Sequence, residues 1–110
     1  MDILAHLRSC QSVWAATIYA MLILDNPQLP EIHPRKWAKF FDYQSQGFEA
    51  TLVGFKSERY KLRRVLGSLP DEAWSRGAMV NRREHNVFSQ TRRMALHEME
   101  HWKQFQALLG

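Results

Sequence analysis

Residues 94–104 read MALHEMEHWKQ, and within them His97-Glu98-Met99-Glu100-His101 has the form H-E-x-x-H. On a zinc-protease helix that pattern supplies two metal-binding imidazoles and a general base. Around it, Met94, His97, His101, Phe105 and Leu108 recur at spacings of three and four, one stripe of a helix that faces a bundle interior. Two imidazoles one turn apart on such a stripe have the spacing that two nitrogen ligands of one ion require. Glu98 points about 100° away from His97 on the same helix. That direction suits a flanking or surface carboxylate at least as well as a base. The protease reading also needs a third ligand downstream. Only Trp102 to Gly110 follow His101, and none of them is His, Asp, Glu or Cys. The pattern is therefore better described as H-x-x-x-H on a helix of a bundle, and not as a protease signature.

Working outward, this helix is expected to begin near Val87, with Asn86 as its N-cap, and to run to Leu109. A first long helix is expected from about Asp2 to Leu24. Asp2 serves as N-cap, and Ile3, Leu4, Leu7, Trp14, Ile18, Met21 and Leu22 lie at helical spacing. Asp25-Asn26-Pro27 ends it, because the residue before proline is pushed out of the helical region. A short helix follows from Pro34 to Phe41. A second long helix spans about Phe48 to Leu66, with Phe48, Leu52, Phe55, Leu62 and Leu66 on one stripe and Gly67 as its stop. A helical turn from Pro70 to Trp74 then leads into a polar, arginine-rich loop. No strand-like alternation of useful length competes. The expected fold is all-α: one domain over residues 1–110, an up-and-down helical bundle with three long helices.

The composition fits that reading. One hundred and ten residues make one core, and 45% hydrophobic with 24% charged residues is an ordinary folded composition. The single cysteine, Cys10, excludes an internal disulfide framework and points to a reducing, cytoplasmic setting. No signal peptide is expected from Met1-Asp2-Ile3-Leu4-Ala5-His6, which lacks a cationic start and a small-residue cleavage site. The apolar run from Val13 to Leu24 is too short to span a bilayer, so a soluble protein is expected. Fifteen basic residues against eleven acidic ones leave a formal charge of +4. Because acidic residues are interspersed and no aromatic-plus-basic motif accompanies the paired arginines, they read as a solvated surface, not a nucleic-acid interface.

A third metal ligand must come from upstream of His97. His33 lies in a Pro-flanked loop and His85 just outside a helix end, whereas His6 is helical and borders the apolar arc. Geometry selects His6. Cys10, one turn beyond it on the same side, is a candidate ligand for a soft metal, although small buried cysteines are commonly inert. Gln104, a turn past His101, could hydrogen-bond a ligand or simply cap the inner stripe. The four tryptophans Trp14, Trp37, Trp74 and Trp102 read as packing and interface anchors.

Taken together, ILAHLRSCQSVWAATIYAMLILDNPQLP (residues 3–30), LGSLPDEAW (66–74) and RRMALHEMEHWKQFQALL (92–109) resemble the DinB superfamily. The match lies in a His-bearing helix, a connector, and a last helix with His-x-x-x-His followed by Gln. The resemblance implies a four-helix bundle and a divalent ion, zinc or nickel first and iron or manganese after them. It places the three ligands on His6, His97 and His101. Several characterised branches of that superfamily are thiol-dependent transferases, and others are isomerases or have no known reaction. The resemblance therefore implies a metal site and not a substrate. The leading expectation is a metal-dependent enzyme of the thiol-dependent transferase or hydrolase type, acting on a small-molecule or thiol substrate. The chain departs from the family in starting almost at its first histidine, without the usual preceding helix. A bundle so shortened exposes an apolar groove, and a second copy is expected to cover it as a homodimer. The other departure is GAMVNRREHNVFSQ (residues 77–90), which replaces a Gly-Thr-rich approach to the last helix. The rival expectation is a non-enzymatic dimeric helical protein with a vestigial or structural histidine site, or a binding module using the basic surface.

Overall fold

A computed structural model of the chain describes residues 3–109, with the side chains of Phe105, Leu108 and Leu109 left out. The expectations that Asp2 caps the first helix and that Phe105 and Leu108 face inward lie outside the described residues. Four helices carry the fold: α1 (Ile3–Ile23), α2 (Pro34–Phe41), α3 (Gly47–Gly67) and α4 (Val87–Leu109). Short 3-10 turns occupy Tyr43–Gln46 and Asp71–Ser75.

Helix α1 is the axis of the molecule, packed against α2, α3 and α4. Its buried residues include Leu4, Leu7, Cys10, Val13, Ile18 and Met21, and also the polar Ser9, Gln11 and Ser12. A helix buried on several sides in this way has no single apolar stripe. The core joins Ala15, Ile18 and Met21 of α1 to Leu62 of α3 and to Val87 and Met94 of α4.

Caps explain where the helices start and stop. The Asn86 side chain accepts from Ser89 N at 2.7 Å while Ser89 Oγ accepts from Asn86 N at 2.9 Å, a reciprocal cap at the start of α4 as the sequence predicts. His33 caps α2 by accepting from Arg35 N, and Pro34 sits where no N–H is needed. At the end of α1, the Arg76 guanidinium donates to the carbonyls of Met21 and Leu24, satisfying acceptors that a helix C-terminus leaves bare.

The chain is not purely helical. Helices and 3-10 turns make up 76% of the described residues, and a three-stranded sheet that periodicity does not announce takes the place of the expected arginine-rich loop. Strand β1 (Gln28–Leu29) runs parallel to β2 (Gly77–Val80), which pairs antiparallel with β3 (Arg83–Asn86) in the register Ala78↔His85 and Val80↔Arg83. Ala78 and Val80 alternate inward and join the helical core, while Gly77 and Met79 are half-buried. The turn uses Asn81 (φ 51°) and Arg82 (φ 66°), the two left-handed residues that match the twist of a two-residue hairpin. An alternation of four residues behind a turn without glycine is a faint signal beside three long helical periods.

Two further expectations on α3 are corrected. Gly67 is not a left-handed stop: it is the last helical residue, and Ser68 caps the end at φ −107°, its hydroxyl donating to the Arg64 and Val65 carbonyls. Of the proposed apolar stripe, only Leu62 is fully buried, and Phe48 is 58% exposed. The segment Tyr43–Gln46 directly precedes α3 and packs against it, a placement that helical periodicity does not encode.

Candidate metal centre

Helix α4 places His97 and His101 one turn apart, and their Nε2 atoms lie 3.1 Å from each other. Helix α1 places His6 and Cys10 one turn apart, with Cys10 Sγ 3.5 Å from His6 Nε2. The two pairs meet across the α1–α4 interface. The His6 ring centroid lies 4.6 Å from that of His101 and 5.9 Å from that of His97. Donor atoms of His6, Cys10 and His97 all fall within 4.8 Å of one another, so this group could hold a metal ion. The rings of His6, His97 and His101 lie near one another, while the donor group within 4.8 Å consists of His6, Cys10 and His97. His33 caps α2 and lines a cavity with His97, and His85 lies 3.1 Å from Arg93 Nη1.

The donor set can be tested against a metal's requirements. Two imidazole nitrogens at about 2.0–2.1 Å from a tetrahedral ion stand about 3.3 Å apart, and a thiolate–imidazole edge is about 3.6 Å. The observed 3.1 Å and 3.5 Å are close to both edges. Imidazole and thiol donors suit zinc and its borderline-soft neighbours better than calcium or magnesium.

Electrostatics favour neutral ligands. Burial lowers the His6 pKa below 6.5, and the charges of His101, His97, Arg35 and His33 add to the effect. His97 is lowered too, by burial and then by His101, with Glu100 and Glu98 opposing. Burial raises the Cys10 thiol to about 11. Neutral imidazoles are the form that binds a cation, whereas the thiol must lose its proton to do so.

The neighbours of the histidines have defined tasks. Gln104 Oε1 stands 2.9 Å from His101 Nδ1. An amide oxygen only accepts, so Nδ1 carries the proton and His101 Nε2 keeps its lone pair toward His97. The Trp14 ring meets His97 edge-on with centroids 4.9 Å apart, a packing role in keeping with its reading as an anchor. The buried His97 Nδ1 has no hydrogen-bond partner among the described residues. Glu98 turns away from the histidines: both its oxygens accept from the Arg59 guanidinium of α3, with Nη1 at 2.8 Å from Oε1. Arg59 Nε donates in turn to Gln11 of α1, and Gln11 Nε2 donates to the Phe55 carbonyl at 2.9 Å. Glu98 therefore ties α4 to α3 through an ion pair, and sequence spacing gave no sign of this partner.

Cavities of about 400 Å³ and 240 Å³ flank the site. The lining of the larger includes His6, Arg35, Lys39 and Asp42, and that of the smaller includes His33, His97, Glu31 and Arg93. Among the described residues no helix is long and apolar enough to cross a membrane. No protein-family model, curated protein or solved structure matches this chain.

Proposed function

We propose that this is a DinB-like metal-dependent protein in which His6, His97 and His101 hold a divalent ion, zinc or nickel before iron or manganese. The observation that carries the reading is the convergence of the three rings across the α1–α4 interface, with centroids 4.4–5.9 Å apart. Each ring comes from a helix whose position is fixed by core contacts, so the ligands are held by Ile18, Met21 and Met94 packing rather than by a loop. When bound, the ion supplies Lewis-acid chemistry for a transferase or hydrolase reaction. Gln104 holds the His101 tautomer, and Trp14 covers one edge of His97. The cavity beside His6 has the size of a small-molecule site, and Arg35, Lys39 and Asp42 give it charged groups of both signs for a small or thiol-bearing substrate. Glu98 has no part in the chemistry, because Arg59 occupies both its oxygens.

The chain is also proposed to work as a homodimer. Phe88, Leu96 and Met99 of α4 and Val53 and Tyr60 of α3 are exposed apolar side chains, and a second copy would take them from water.

Elemental analysis of purified, zinc-reconstituted protein tests the metal reading. One equivalent of ion per chain is expected in the native protein, with loss of most of it in His97→Ala and His101→Ala. A native protein that retains no stoichiometric divalent metal after reconstitution would overturn the proposal.

A further inference from the structure

The three-histidine reading leaves Cys10 without a role, yet Cys10 is buried at 4% exposure inside the same cluster. Its sulfur lies 3.5 Å from His6 Nε2 and 4.0 Å from His6 Nδ1. The positions form a ladder. His6 and Cys10 are spaced i, i+4 on α1, and His97 and His101 are spaced i, i+4 on α4. The His6 ring meets the His101 ring, and Cys10 shares the 4.8 Å donor group with His97. Each helix therefore offers one pair of donor side chains, and the two pairs meet across the α1–α4 interface.

We infer that Cys10 is a fourth ligand, so that the ion is held by three imidazoles and one thiolate. This rests on the three-histidine reading and adds one atom to it. On binding, the Cys10 thiol gives its proton to solvent and Sγ donates an electron pair to the ion; no electron is transferred. The sulfur selects zinc or cobalt over magnesium and manganese, because thiolate is a soft ligand. Four protein ligands complete the usual sphere of zinc, making the ion a clasp between α1 and α4. A substrate then reaches it by displacing Cys10 or as a fifth ligand.

Cobalt(II) titration of the metal-free full chain tests this directly. The native protein is expected to develop both the strong visible bands of a tetrahedral ion and a near-ultraviolet sulfur-to-cobalt charge-transfer band. Cys10→Ser should keep the visible bands, lose the near-ultraviolet band, and bind cobalt at least about 10–100-fold more weakly, the loss already seen for residues that only touch a ligand. X-ray absorption of the zinc-loaded native protein needs no variant and should show one sulfur at about 2.3 Å. Cobalt binding without the charge-transfer band, or zinc with nitrogen and oxygen neighbours only, overturns the role of Cys10 and leaves the three-histidine site standing. No cobalt or zinc binding at all overturns both.

Discussion

His101 stands between two partners: its Nε2 lies 3.1 Å from His97 Nε2, and its Nδ1 lies 2.9 Å from Gln104 Oε1. The second contact determines which nitrogen has a lone pair to offer at the first. Gln104→Ala removes that control without removing a ligand. Zinc affinity should fall by about 10–100-fold, as for other residues that orient a metal-binding histidine. Gln104→Glu, which still accepts from Nδ1, should restore most of it. Competition against a chelating dye measures both, and unchanged affinity in Gln104→Ala would show that the contact does not orient the ligand.

The same cluster makes the metal-free protein sensitive to acid. His6 and His97 have folded pKa values below their ordinary value of 6.5, so the unfolded chain binds protons more readily than the native one. Above pH 6.5 neither state is charged and no penalty exists. As pH falls through 6.5 the unfolded state gains protons first, and stability declines until the folded-state values are passed. Urea midpoints of metal-free protein at pH 7.5 and 5.5 should show the drop, and His97→Ala should reduce it. Equal midpoints in the two buffers would contradict the assignment.

Glu98 and Arg59 are each about a quarter exposed, so their ion pair is partly screened. Glu98→Ala also strands a half-buried guanidinium, and the expected cost is about 1–2 kcal/mol. A cycle with Arg59→Ala should find the double variant less destabilised than the sum of the two single ones. Metal content should be unchanged in Glu98→Ala. Loss of stoichiometric zinc in that variant would return Glu98 to the metal site.

The hairpin carries a local strain that a substitution can relieve. Arg82 holds φ at 66° without being glycine, a conformation that costs an L-residue about 1–2 kcal/mol. Arg82→Gly produces Asn-Gly, the preferred pair for this turn, and should stabilise the fold by about 0.5–1 kcal/mol. Gly77→Ala should act in the opposite direction, since an added Cβ would lie 2.9 Å from the His85 carbonyl oxygen across the ladder. Chemical denaturation should shift the midpoints of the two variants in opposite directions, and shifts of the same sign would contradict the roles of Arg82 and Gly77 in the hairpin.

Light scattering coupled to size-exclusion chromatography should report a dimer at micromolar concentration. Leu96→Glu and Met99→Glu, on an exposed face of α4, should shift it toward monomer with little change in helix content. A native protein that runs only as a monomer would remove the second copy from the proposal.

Much of this could be read in the sequence because helices announce themselves locally. The period of α1, the Pro34 start of α2 and the Asn86 cap of α4 depend on residues within a turn or two of each other, so one strand of text contains the information. The i, i+4 spacing of His97 and His101 is fixed by the helix that carries them. The hairpin was not legible for the complementary reason: β2 is four residues long and gains its stability from Ala78 and Val80 entering a core made by distant helices.

Three long helices, the short α2 and two imidazoles on a common face of α4 follow from local residue order. That α1 meets α4 with His6 beside His101, that Cys10 shares a donor group with His6 and His97, and that Glu98 pairs with Arg59 follow from tertiary packing. Each of those facts depends on the relative placement of two helices. That placement follows from how buried side chains such as Ile18, Met21 and Met94 fill one core, which no local spacing encodes.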